Sequence, residues 1–211
     1  MRTYLNTTGF LRHLYPKSLI WDIPNNVKNV YLTFDDGPTP EVTDKLLDVL
    51  KSYGAKATFF CLGKNVEQHP ELYLRILKEG HQVGNHTWDH LNAKRVSQSD
   101  YFQSIAKAQT IIDSKLFRPP YGRIEKELAK RISKDYKIIM WSVLSGDFDL
   151  SRSKEDCLKS VQKYATSGSV IVFHDSLKAA SKMLYMVPKV LSDFQERGYN
   201  FKAINDDLIQ F

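Results

Sequence analysis

The chain has 211 residues, 42% hydrophobic and 26% charged, a balance that excludes a disordered or collagen-like chain and fits one globular domain. No apolar run is long enough to span a bilayer, and the two cysteines, Cys61 and Cys157, are too few and too far apart for a disulfide scaffold or a CxxC ligand pair. The formal charge of +6 is carried by scattered lysines and arginines with no nucleic-acid motif among them, so a solvated surface is expected and no nucleic-acid partner.

The N-terminus does not read as a signal peptide. Its apolar stretch around Phe10, Leu11 and Leu14 is broken by Arg12 and His13, and Pro16-Lys17 follow. The expectation is a cytoplasmic chain unless a leader or anchor has been removed. Residues 1–29 are expected to form an N-terminal extension packing on the domain, through Tyr15, Leu19, Ile20 and Trp21.

Strand-like runs then alternate with amphipathic segments. Residues 30–34 read as a strand. Residues 40–53 read as a helix with Thr39 as its N-cap, Pro40 in first position and Gly54 at its end. Residues 57–61 form the next strand, 70–78 a helix stopped by Gly80, and 81–85 a short strand. Residues 99–115 read as one long helix, with Ile105, Ala108, Ile111 and Ile112 at helical spacing. A brief strand at 116–118 precedes Pro119-Pro120. A helix follows at 124–133, a strand at 137–141, a helix at 154–165 and a β-branched strand at 169–173. Residues 182–197 read as helical, with Pro188 expected to kink or restart the helix, and 200–204 as a last strand. About seven strands, most followed by a helix, predict an α/β fold on a parallel sheet, either doubly wound or a barrel.

In a barrel, chemistry gathers at the C-terminal ends of the strands. Asp35 and Asp36 end the first strand, His86 the third and Arg118 the fourth. Asp147 follows the fifth, and His174 ends the sixth. Adjacent strand residues point to opposite faces, so Asp35 and Asp36 can share a pocket only where the strand gives way to the Gly37-Pro38 turn. Taken alone, Asp-Gly is equally a plain turn signal.

His86 and His90 lie four apart and would face one way on a helical turn, a suitable pair for a metal. A zincin-type protease would need Glu at position 87, where Thr stands, so that reading is rejected. Asp36 would complete a two-histidine, one-carboxylate set, which iron oxygenases also use. Arg118 either sits in a stiff Pro-Pro loop or holds a carboxylate ionised, and His174 is either structural or tuned by Asp147.

Five runs decide between these readings: Thr33-Phe34-Asp35-Asp36-Gly37-Pro38, His86-Thr87-Trp88-Asp89-His90, Arg118-Pro119-Pro120-Tyr121-Gly122, Asp147-Phe148 and Val172-Phe173-His174. In this order they resemble the five motifs of the NodB-homology polysaccharide deacetylases, carbohydrate esterase family 4. Two of the motifs depart from the pattern, at three positions. Leu144 and Phe148 replace the first Asp and the Trp of the fourth motif, and Val172 replaces a Leu in the fifth.

The resemblance implies a distorted (β/α) barrel with about seven parallel strands, occupying residues 30–211 as a deacetylase domain. It implies a divalent metal, zinc first and cobalt, nickel or manganese as substitutes, on Asp36, His86 and His90. Asp35 would be the general base and Arg118 its orienter. The backbone N–H of Tyr121 would stabilise the oxyanion. His174 would be the general acid, tuned by Asp147. The implied substrate is an acetylated glycan containing N-acetylglucosamine, either chitooligosaccharide or peptidoglycan-like. O-acetyl xylan, a lipid-linked sugar and a silent glycan-binding role are the alternatives. Trp88, Tyr121 and Phe148 either stack on sugar rings or pack in the core.

Overall fold

The computed structural model describes residues 15–205. Of the N-terminal segment 1–29, residues 1–14, including Phe10, Leu11 and Leu14, lie outside the described residues. The strands are β1 (Leu19–Ile20), β2 (Asn29–Asp35), β3 (Thr58–Cys61), β4 (Gln82–Asn85), β5 (Leu116–Phe117), β6 (Lys137–Ile139), β7 (Val143–Leu144), β8 (Val170–His174) and β9 (Asn200–Phe201). The helices are α1 (Thr43–Ser52), α2 (Gly63–Gln68), α3 (Pro70–Lys78), α4 (Gln98–Gln109), α5 (Lys126–Ile132), α6 (Lys154–Tyr164) and α7 (Ala180–Glu196). Among the described residues no helix is long and apolar enough to cross a membrane.

Every strand pairing is parallel, in the order β1-β6-β5-β4-β3-β2-β8-β7, with β9 beside the start of β2. Among the described residues there are nine strands, where the sequence predicts about seven. The two additions, β1 and β7, have two residues each, too few for any alternation to show. The segment from β6 to β7 changes neighbours part-way. The Met140 N–H donates to Ile20 O and the Ser142 N–H to Val170 O, so one extended run joins the two ends of the sheet into a distorted barrel.

Strand alternation sorts the side chains. Val30, Leu32 and Phe34 of β2 face the helices, and the Phe34 ring lies between Phe59 and Phe173 with centroids 5.2 and 5.7 Å away. Tyr31 packs instead with Phe60, Leu116, Ile139, Val170 and Ile204, and Thr33 and Asp35 share its face of the strand.

Two helix boundaries and one helix interior differ from expectation. α1 begins at Thr43, not Pro40, because Glu41 has φ 64, and the Thr39 N–H is taken by Thr43 Oγ1 at 2.8 Å. α4 stops at Gln109, after which the chain turns back, and Ser114 Oγ donates to Val83 O at 2.7 Å on the way into β5. α7 runs through Pro188 without restarting. Buried Met183, Met186, Val187, Val190, Leu191 and Phe194 hold its inner face on both sides of the missing donor.

Candidate active site

Asp35 closes β2 in register with His174 of β8 and Phe60 of β3. Asp36 then takes φ 82, which breaks the strand alternation and delivers the second carboxylate to the same end of the barrel as the first. Among the described residues, four of the five non-glycine residues with positive φ are Asp36, Thr87, His90 and Tyr121, all in the motif loops around this pocket.

Asp36 Oδ1 lies 3.7 Å from His86 Nε2 and 3.3 Å from His90 Nε2. The three donor atoms fall within 4.8 Å of one another. The two histidines do not meet on a helical turn. β4 ends at Asn85, Thr87 and His90 both have positive φ, and the segment is an irregular loop. Asn85 Oδ1 accepts the Thr87 N–H at 2.8 Å, and Thr87 Oγ1 accepts the His90 N–H at 3.1 Å. These bonds fold the loop back on itself and bring the imidazoles to 5.1 Å between centroids.

The donor set fits a divalent cation. Asp36 Oδ1 is buried and has no hydrogen-bond partner, a costly state for a carboxylate oxygen that a cation would relieve. His86 Nδ1 lies 2.7 Å from Arg118 O, which fixes its proton on Nδ1 and leaves the Nε2 lone pair toward Asp36. Burial holds the His86 pKa down at about 4, so the ring is neutral as a ligand must be.

Arg118 is fully buried inside the barrel. Its Nη1 donates to Asp35 Oδ1 and Thr33 Oγ1, both at 2.7 Å, its Nε to Ile139 O at 3.0 Å and its Nη2 to Met140 O at 2.9 Å. The guanidinium lies over the Phe60 ring at 4.1 Å. Burial pushes the Asp35 pKa up, but the Arg118 charge and hydrogen bond, with the charge of His174, outweigh it and hold the carboxyl below its ordinary range.

Across the pocket Asp147, with no solvent exposure, accepts from His174 twice: from the backbone N–H at 2.7 Å and from Nδ1 at 2.8 Å. Burial alone would lower the His174 pKa. The Asp147 carboxylate overrides it and raises the value to about 9. A raised histidine pKa contributes stability that is complete below its unfolded value of about 6.5 and is lost as pH rises through about 9. In metal-free protein the His174 ring should therefore titrate near pH 9, and Asp147→Asn should bring its midpoint back toward 6.5. An imidazole NMR titration reads this directly, and an unmoved midpoint would refute the pairing.

Tyr121 stands at the mouth with its ring edge-on to His90, centroids 4.5 Å apart. Gly122 behind it has φ 61, and a Cβ there would lie 2.3 Å from the Trp141 ring. Phe148 lies edge-on to His174 at 5.0 Å, and Leu144 is buried in β7. Trp88 packs against the main core under Lys107, in line with the core alternative for that residue. Beside Asp36 and His90 a groove of about 540 Å³ continues along Pro38, Asn65, His69 and Leu177.

The sequence model described as "Polysaccharide deacetylase" matches residues 22–138, more than half of the chain. The chain belongs to the polysaccharide deacetylase family. The deacetylase is 33% identical to a peptidoglycan-N-acetylglucosamine deacetylase of Bacillus cereus, over 98% of this chain and 96% of the relative. It is 38% identical to the peptidoglycan-N-acetylglucosamine deacetylase of Listeria monocytogenes over 85% of this chain, but spans only 38% of that longer protein. Among solved structures, a peptidoglycan N-acetylglucosamine deacetylase in complex with 4-naphthalen-1-yl-N-oxidanyl-benzamide superposes with a TM-score of 0.85 at 32% identity, covering 94% of this chain and 95% of that one.

Two polar residues of the deacetylase site escaped the sequence reading. Asn65 Nδ2 donates to Asp36 O at 2.7 Å, and Asp175 is wholly buried behind the Asp36 turn. Asn65 sits in α2, a six-residue helix that was not expected. Asp175 directly follows His174, and that adjacency was the available signal.

Proposed function

We propose that this deacetylase hydrolyses the N-acetyl group of N-acetylglucosamine units in a peptidoglycan-type glycan, using a divalent cation held by Asp36, His86 and His90. The observation that carries this reading is the conjunction at one barrel end of three sets: the Asp/His/His donors, an Arg118-held carboxylate and an Asp147-held imidazole. The relatives, peptidoglycan N-acetylglucosamine deacetylases, support the glycan, and zinc is the cation we favour for two imidazoles and a carboxylate.

When bound, the cation supplies Lewis acidity to the acetyl carbonyl and to water. Asp35, kept ionised by Arg118, accepts a proton from the attacking water, whose oxygen bonds to the carbonyl carbon. The Tyr121 N–H donates to the oxygen that gains charge. His174, protonated through its bond to Asp147, gives its proton to the amide nitrogen as the C–N bond breaks. Acetate and a free amine leave, and the proton taken by Asp35 balances the one given by His174. The groove past Pro38 and Leu177 and the exposed Tyr121 ring offer apolar surface for neighbouring sugars.

Acetate release from peptidoglycan fragments, chitin oligomers and acetylated xylan tests the proposal. Activity should be highest on the first, fall to background after chelation and return with zinc. Release from xylan alone, or turnover indifferent to the chelator, would overturn it.

A further inference from the structure

Asp175 is a buried carboxylate that the chemistry above leaves unused. It has no solvent exposure, and among the described residues no lysine, arginine or histidine forms an ion pair with it. Such a group costs stability unless its oxygens are satisfied, and chains seldom keep one without a task. Its bonds show where that task lies. Oδ1 accepts the Gly37 N–H at 3.0 Å, and Oδ2 accepts the Thr43 hydroxyl at 2.6 Å. Its own backbone N–H donates to Asp35 O at 3.0 Å.

Asp175 therefore grips the chain on both sides of Asp36, through residue 35 and residue 37, and ties the turn to the first residue of α1. The fit is close: a Cβ on Gly37 would fall 2.0 Å from Asp175 Oδ2, so only glycine admits the carboxylate there. Asp36 needs such a grip. Its φ of 82 is sparsely populated for a non-glycine residue, and its Oδ1 is held facing two imidazoles without a hydrogen bond.

We propose that Asp175 is a positioning residue for the cation site: by bracketing Asp36 it holds that carboxylate, before any cation arrives, where the two histidines can share a ligand with it. This rests on the reading of Asp36, His86 and His90 as a cation site. Burial pushes the Asp175 carboxyl pKa up to about 7.

Zinc affinity, read by competition with a chromophoric chelator, tests the inference alongside thermal unfolding of the metal-free protein. Asp175→Asn preserves the shape but places an N–H₂ group against a donor. It should weaken zinc binding by about 10- to 100-fold, the range for supports of metal ligands. Thr43→Val should weaken zinc by about threefold or more, and Thr43→Ser, which restores the hydroxyl, should recover wild-type affinity. Metal-free Asp175→Asn should unfold close to the wild-type temperature, because the cost of one lost buried hydrogen bond is offset by the loss of a costly buried charge. A purely structural Asp175 would give the reverse, a lower unfolding temperature with zinc affinity within twofold of wild type, and that result overturns the inference. If Asp175→Asn does not fold, equal affinities in the Thr43→Val and Thr43→Ser proteins overturn it. A wild-type protein that binds no zinc instead refutes the cation site itself.

Discussion

Asp35→Asn should lower acetate release by about a thousandfold, within the range expected for losing a general base, while zinc still binds with near wild-type affinity. The amide keeps the shape and one acceptor for the Arg118 Nη1 donor, which now sits 2.7 Å from Asp35 Oδ1. It cannot take a proton from water. Asp36, whose Oδ1 faces His86 and His90, is untouched. Arg118 keeps its bonds to Thr33 Oγ1, Ile139 O and Met140 O, so the barrel interior stays closed. The two neighbouring carboxylates are thus separable by experiment: position 35 sets the rate and position 36 the metal. Acetate release and chelator competition on one preparation give both numbers. A variant retaining more than a tenth of wild-type turnover would remove Asp35 from the role of base. Loss of zinc binding in the same variant would show that the two carboxylates act as one unit.

That separation was legible in part from the chain. Strand alternation already required the strand to end between Asp35 and the pocket floor, and φ 82 at Asp36 is how it ends. Long elements with clear spacing, such as α3 at Pro70–Lys78, fall where the pattern places them. Short ones do not. β1, β7 and α2 owe their form to neighbours already in place, because two-residue strands and a six-residue helix carry no period of their own. The histidine pair shows another limit. Their four-residue spacing suggests a helical turn, whereas the loop is set by side chain to backbone bonds from Asn85 and Thr87. Asp175 shows a third. Its partners are Gly37 and Thr43, more than 130 residues away, and no local pattern predicts a contact at that separation.

Arg118→Met carries the largest expected cost in stability, about 3–5 kcal/mol, the usual penalty for removing one member of a buried ion pair. Methionine fills much of the arginine stem but offers no donor. Asp35 would be left as a buried anion without its partner, and the carbonyls of Ile139 and Met140 would each lose an N–H. Burial, the largest influence on Asp35, already pushes its pKa up, and Arg118 is the largest of the charges opposing it. Without the guanidinium the Asp35 pKa rises, and the base is protonated over more of the neutral range. Two consequences can be measured together. Denaturant unfolding of the metal-free variant gives the stability loss, and the acid limb of its pH–rate profile moves to higher pH. The double variant Asp35→Asn/Arg118→Met then decides between an electrostatic and a packing origin. If the uncompensated charge causes the loss, removing it recovers a large share, and the double variant is more stable than Arg118→Met alone. If packing under Phe60 causes it, the second substitution recovers nothing, since the guanidinium seated 4.1 Å over that ring is absent from both proteins. The electrostatic outcome means that the fold carries Arg118 chiefly for Asp35, so one buried pair couples the integrity of the barrel interior to the ionisation of its base.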